Sequence, residues 1–139
     1  MKHGFAKVGT ASAAALLMAL ASANAAASAV QLSGTLETPA VETAASGSGD
    51  ITVGADHTVS GSIATQGITG TVAHIHSGAP GQKGPPVITL TKVSDSQWAV
   101  PPGSKFSDED YAAYQAGNLY VNVHSADHKG GEIRGQLKP

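Results

Sequence analysis

The sequence predicts an all-β domain, an antiparallel two-sheet sandwich with one short helix. Two observations carry this. After about residue 25 the chain runs in short apolar–polar alternations, and turn-forming residues interrupt them at close intervals, with 17 Gly and 7 Pro in 139 residues. Alternation at period two places one face of a strand on a core, and short strands broken by turns make a sandwich or barrel. Cysteine is absent, so the stability of the domain rests on strand pairing, core packing or a bound ion rather than on disulfides.

The first element is a leader. Lys2, His3 and Lys7 are basic, Val8 to Ala23 is uncharged and apolar or small, and two A-x-A sites follow at Ala23-Asn24-Ala25 and Ala27-Ser28-Ala29. This order is that of a cleaved secretory signal peptide, residues 1–25, with cleavage possible as late as residue 29. The alternative, a membrane anchor, is shorter and less apolar than the roughly 20 residues a crossing needs. A leader of this style implies a bacterial periplasmic or secreted protein, and the lack of Cys at the cleavage site excludes a lipid anchor.

Cleavage after Ala25 leaves 114 residues, with 6 basic against 10 acidic side chains and a formal charge of −4. One domain fits that length. The charge argues against nucleic acid, which rewards clustered Lys and Arg, and no basic amphipathic segment points to a membrane surface.

Val30 to Glu37 reads as the first strand, with Val30, Leu32 and Leu36 apolar. Thr38 to Ser46 is a connection. Gly49–Val53 and Thr58–Thr65 flank a hairpin turn at Gly54-Ala55-Asp56-His57. Ile68 to His76 is a strand, and Ser77 to Pro86 is a Gly- and Pro-rich loop. Val87 to Val93 is the next strand, with Trp98 shortly after. Ser107 is a helix N-cap with Asp110 three residues on, and Gly117 closes a helix near 107–116. Leu119–His124 and Glu132–Leu137 are the last strands. Glu132 and Arg134 share one strand face and are expected to pair on the surface.

Alternation sorts the histidines. Ala73 and Ile75 take one face of their strand, and His74 and His76 the other. Leu119, Val121 and Val123 face the core, so Tyr120, Asn122 and His124 face outward. Two imidazoles two residues apart on a strand point the same way at roughly 6–7 Å spacing. His124 on an adjacent strand would make a third ligand and His128, in the following turn, a fourth. Imidazole-only ligation in an oxidising compartment suits copper first and zinc second. The other reading of these histidines is packing, each ring bonded to a backbone carbonyl. His57, in its turn, reads as a plain surface residue. No nucleophile elbow accompanies Ser125, His124 and Asp127, and Asp108, Glu109 and Asp110 read as helix N-terminal charges.

The blocks Ala73-His74-Ile75-His76-Ser77-Gly78 and Tyr120-Val121-Asn122-Val123-His124, with Gly130-Gly131-Glu132-Ile133-Arg134-Gly135, resemble the CHRD (chordin-type) domain over about 30–137. The resemblance implies a Greek-key sandwich of the superoxide-dismutase or immunoglobulin kind in an exported protein. His74, His76 and His124 are also similar in position to the copper ligands of copper-zinc superoxide dismutase, though the bridging histidine, zinc loop and disulfide have no counterpart. Three functions follow as expectations: a copper-binding domain for binding, delivery or tolerance; a non-catalytic interaction or matrix module without metal, with an unidentified protein partner; or a copper-dependent dismutase-like enzyme.

Overall fold

The computed structural model describes residues 26–139, so the expected leader at 1–25 lies outside the described residues. The strands are β1 (Ala26–Ser33), β2 (Ser46–Val53), β3 (Val59–Gln66), β4 (Gly70–Ser77), β5 (Pro86–Thr89), β6 (Thr91–Ser94), β7 (Gln97–Ala99), β8 (Leu119–Ser125) and β9 (Ile133–Gln136), with one α-helix, α1 (Asp108–Gln115), between β7 and β8. They pair antiparallel in the order β5-β4-β8-β9-β1-β2-β3-β7-β6. The β9–β1 junction is a single register pair, Ser33 with Arg134, so the sheet folds there into two layers. At the opposite side the chain passes from β5 to β6, where the Leu90 N–H donates to the Ala73 carbonyl at 2.9 Å. The result is a nearly closed, barrel-like sandwich.

The alternating apolar residues fill its interior. Leu32, Ile51, Ile63, Ile75, Trp98, Val121, Val123, Ile133 and Leu137 are all buried in one core. The 54–57 hairpin forms as the sequence requires: the Gly54 N–H donates to Thr58 O, and His57 takes the left-handed conformation at φ 71°. The helix is capped by Ser107, whose Oγ accepts from the Asp110 N–H at 3.1 Å, and Gly117 follows it at φ 77°.

Several expectations need correction. The first strand ends at Ser33, not Glu37: Gly34–Leu36 form a 3-10 turn whose Gly34 carbonyl accepts from Glu37 and Val41, and this leaves Leu36 half exposed. The strand at 87–93 is two strands, because Leu90 turns inward at the corner between the layers. His57 is no isolated surface residue. Its ring stacks on Tyr111 with centroids 4.0 Å apart, and its Nδ1 lies 3.4 Å from Asp108 Oδ1. Glu132 and Arg134 do not pair. Both are buried, Glu132 accepting from Ser125 and Thr43, and Arg134 donating to the 78–85 loop. Finally, the face of β8 expected to be outward is covered: Tyr120, Asn122 and His124 are all buried.

Candidate metal centre

The cover explains the site. The loop 78–85 and the β8–β9 turn fold over the outer face of β4, β8 and β9. Arg134, on β9, ties the loop down by donating from Nη1 to Gln82 O at 2.7 Å and from Nη2 to Ala79 O at 2.9 Å. Gln136 donates to Gly78 O at 2.8 Å. Strands β4 and β8 are neighbours, and their register sets His74 against Asn122, His76 against Tyr120 and Val72 against His124. Three imidazoles therefore share the covered face.

They converge. One ring nitrogen from each of His74, His76 and His124 falls within 4.8 Å of the others. His74 Nδ1 and His124 Nε2 are 3.1 Å apart. Metal–nitrogen bonds of about 2 Å place ligand nitrogens roughly 3–4 Å apart, so a small inward shift closes the set on one ion. His128 is not part of this group. It lines a separate surface cleft of about 410 Å³ with Thr43, Thr71, Ser125 and Glu132.

The remaining ring nitrogens decide which lone pairs are free. His76 Nδ1 lies 2.9 Å from Gly84 O and His124 Nδ1 lies 2.8 Å from Lys129 O. A carbonyl can only accept, so each Nδ1 carries the proton and each Nε2 presents its lone pair. Backbone carbonyls on the outer nitrogen are the usual way a ligating imidazole is oriented. His124 Nε2 meets His74 Nδ1, while His76 Nε2 is buried with no hydrogen-bond partner.

The surroundings of His74 and His76 favour neutral rings, the form that binds metal. Burial holds His74 below its ordinary value, with His124 and His76 adding to the effect. Burial also holds His76 down, against its bond to Gly84 O and the neighbouring Asn122 side chain, which both favour the charged ring. The His76 ring stacks on Tyr120 at 4.8 Å and 3°, and Arg134 Cζ sits 3.5 Å from the same Tyr120 ring centroid. Beneath the rings, Asn122 is 2 % exposed. Its amide lies beside both His76 and the buried carboxylate of Glu37, whose proton affinity is raised by burial and lowered by Arg134 and Asn122.

Sequence reasoning missed Asn122, Glu37 and the clamp by Arg134. Asn122 had a signal, since it alternates with Tyr120 and His124 on one face. Glu37 had none, because the 3-10 turn delivers it from the other layer.

A family model described as the CHRD domain matches residues 28–137. The chain belongs to the CHRD family. CHRD domains are extracellular-type modules, and among the described residues no helix is long and apolar enough to cross a membrane. No curated protein and no solved structure matches the chain.

Proposed function

We propose that this CHRD domain is an exported metal-binding module, periplasmic or secreted, that holds a copper ion through His74, His76 and His124, with zinc the second candidate. The leader pattern supports export. The observation that carries the metal is the convergence of three imidazole nitrogens, with two tautomers fixed by Gly84 O and Lys129 O and one of the freed lone pairs, His76 Nε2, buried without a partner. A buried acceptor left unpaired costs roughly 1–3 kcal/mol, and a metal ion removes that cost. Neutral nitrogen donors without thiolate or carboxylate suit copper best. The role that follows is binding, delivery or tolerance.

A second reading, a metal-free interaction module, has support of its own, since His76 and His124 are each bonded to a backbone carbonyl as packing requires. His74 Nδ1 and His124 Nε2 already lie at hydrogen-bonding distance, so two of the three rings satisfy each other without an ion. Thermal unfolding of the purified protein at pH 7, with and without Cu2+, separates the two. A ligand at 100 times its dissociation constant stabilises the native state by about 2.7 kcal/mol. His74→Ala, His76→Ala and His124→Ala each remove most of the shift, and His57→Ala keeps it. No shift in the wild-type protein, or a shift that His57→Ala also removes, refutes the metal reading.

A further inference from the structure

The floor of the site holds three buried polar atoms without hydrogen-bond partners: His76 Nε2, Asn122 Oδ1 and Glu37 Oε1. They are not scattered. The Asn122 amide lies beside His76 on one side and Glu37 on the other. Glu37 Oε1 and Asn122 Nδ2 both crowd the space where a Cβ on Gly131 would stand; the φ of 119° at that residue belongs to glycine, and the missing side chain leaves room for them. With Nδ2 toward the carboxylate, Oδ1 is turned toward the imidazoles. It then faces His76 Nε2, and both are acceptors, since His76 donates its proton to Gly84 O. Two buried lone pairs facing each other repel unless a positive centre lies between or beside them.

We infer that Asn122 supplies a fourth donor, its amide oxygen, to a divalent ion held by His74, His76 and His124, and that Glu37 is the positioning residue that holds the amide in that orientation. The inference rests on the three-imidazole reading and adds to it a preference among ions. Three nitrogens alone suit a three-coordinate monovalent copper ion. A fourth, oxygen donor completes a four-coordinate shell for Zn2+ or Cu2+, while a soft monovalent ion gains little from an amide oxygen. Charge points the same way. A divalent ion on three neutral rings, near the Arg134 guanidinium, meets a compensating negative charge in Glu37, which lies behind Asn122.

The test compares Zn2+ and Cu+ affinities by competition with chromogenic chelators, using purified protein whose fold is checked by circular dichroism. Asn122→Leu keeps the branched shape of the side chain and removes the oxygen. It lowers Zn2+ affinity by roughly 10–100-fold, the scale of a lost supporting group, and leaves Cu+ affinity within about threefold. In Co2+-loaded protein the same change alters the visible ligand-field bands, a readout that a purely structural role does not move. The double variant Glu37→Gln with Asn122→Asp reverses the pair. The introduced glutamine amide then donates to the introduced carboxylate, and Zn2+ affinity returns to the wild-type level or above. Equal loss for both ions in Asn122→Leu, or no loss of Zn2+ affinity, overturns the donor role. Failure of the double variant to restore Zn2+ binding overturns the positioning role of Glu37. If the wild-type protein binds none of these ions, the three-imidazole reading itself falls and the inference falls with it.

Discussion

Arg134→Met removes the post to which the covering loop is tied. Arg134 is 2 % exposed. It donates to Gln82 O at 2.7 Å, Ala79 O at 2.9 Å and Gln136 Oε1 at 3.1 Å, and its guanidinium covers the Tyr120 ring. Hydrogen bonds from a charged group contribute about 1.5–3 kcal/mol each, and a cation over an aromatic ring about 0.5–2 kcal/mol. These terms are not additive, and the desolvation of the buried guanidinium opposes them. Removing one member of a buried charged network typically costs about 3–5 kcal/mol, here because Glu37 is left without its strongest compensating charge. Urea unfolding followed by the buried Trp98 reads the change: with a slope of about 1–3 kcal/mol per molar urea, the midpoint falls by roughly 2 M. Lys83 is exposed, and the freed loop can now unfold into a protease, so trypsin cuts at Lys83–Gly84 in the variant while the tied loop of the wild-type protein resists. Arg134→Lys falls between, since an ammonium keeps the charge and loses the planar fork. A midpoint within about 0.3 M of wild type, with Lys83 uncut, refutes the clamp and with it the account of why the β8 face is buried.

Three further outcomes are expected. Without metal, His74 and His76 resist protonation, each held below the ordinary 6.5 chiefly by burial. The unfolded state therefore takes up protons first, and melting in EDTA shows stability falling as pH drops below 6.5. Glu37 acts with the opposite sign: its folded value is raised above 4.5 by burial, so it keeps its proton longer in the native state and its contribution fades as pH rises. Glu37→Gln thus steepens the acid loss, and an unchanged slope contradicts this. Val121→Asp puts an unpaired charge at a fully buried position and costs several kcal/mol out of a total of about 5–15; a cooperative melt near the wild-type temperature would count against the core assignment. Gly131→Ala forces a side chain into φ 119° and against Glu37 and Asn122. A loss of roughly 1–3 kcal/mol in chemical unfolding is expected, and no loss would mean the floor is looser than described.

Much of the β framework was legible because it follows from alternation and turn chemistry. Residues 54–57, the Ser107 cap and the inward set of Leu119, Val121 and Val123 are local facts, and each holds. His74, His76 and His124 were legible for the same reason, since period two fixes which side chains share a face. What escaped was set by partners distant in sequence. Alternation says that Tyr120, Asn122 and His124 leave the core, but not whether another segment covers them. The loop that does so is held by Arg134 and Gln136, some 55 residues away in sequence. The surface pairing of Glu132 with Arg134 failed on the same ground: a shared face brings two charges near each other, but Ser125 and Thr43 satisfy one, and loop carbonyls and the Tyr120 ring satisfy the other. Leu36 failed because Gly34 breaks the strand into a 3-10 turn, which also carries Glu37 under the site.

The cover and the proposed metal centre depend on the same atoms. Each ring bonded to a covering segment spends its outer nitrogen there, His76 on Gly84 and His124 on Lys129. The order of those two segments thus fixes the tautomers that free both Nε2 lone pairs. A site built on bare strands would leave each ring free to rotate and to hold its proton on either nitrogen, and the entropy of choosing one arrangement would fall on the binding step. Here folding has already met that cost, through Arg134 and Gln136 on the loop and the Ser125–His128 backbone bonds in the turn. Metal affinity should therefore fall in Arg134→Met even though Arg134 donates to no ligand, because the loss of loop order releases the His76 ring. The sandwich supplies the spacing of the three imidazoles, and the covering segments select which nitrogen of His76 and His124 faces the centre of the cluster.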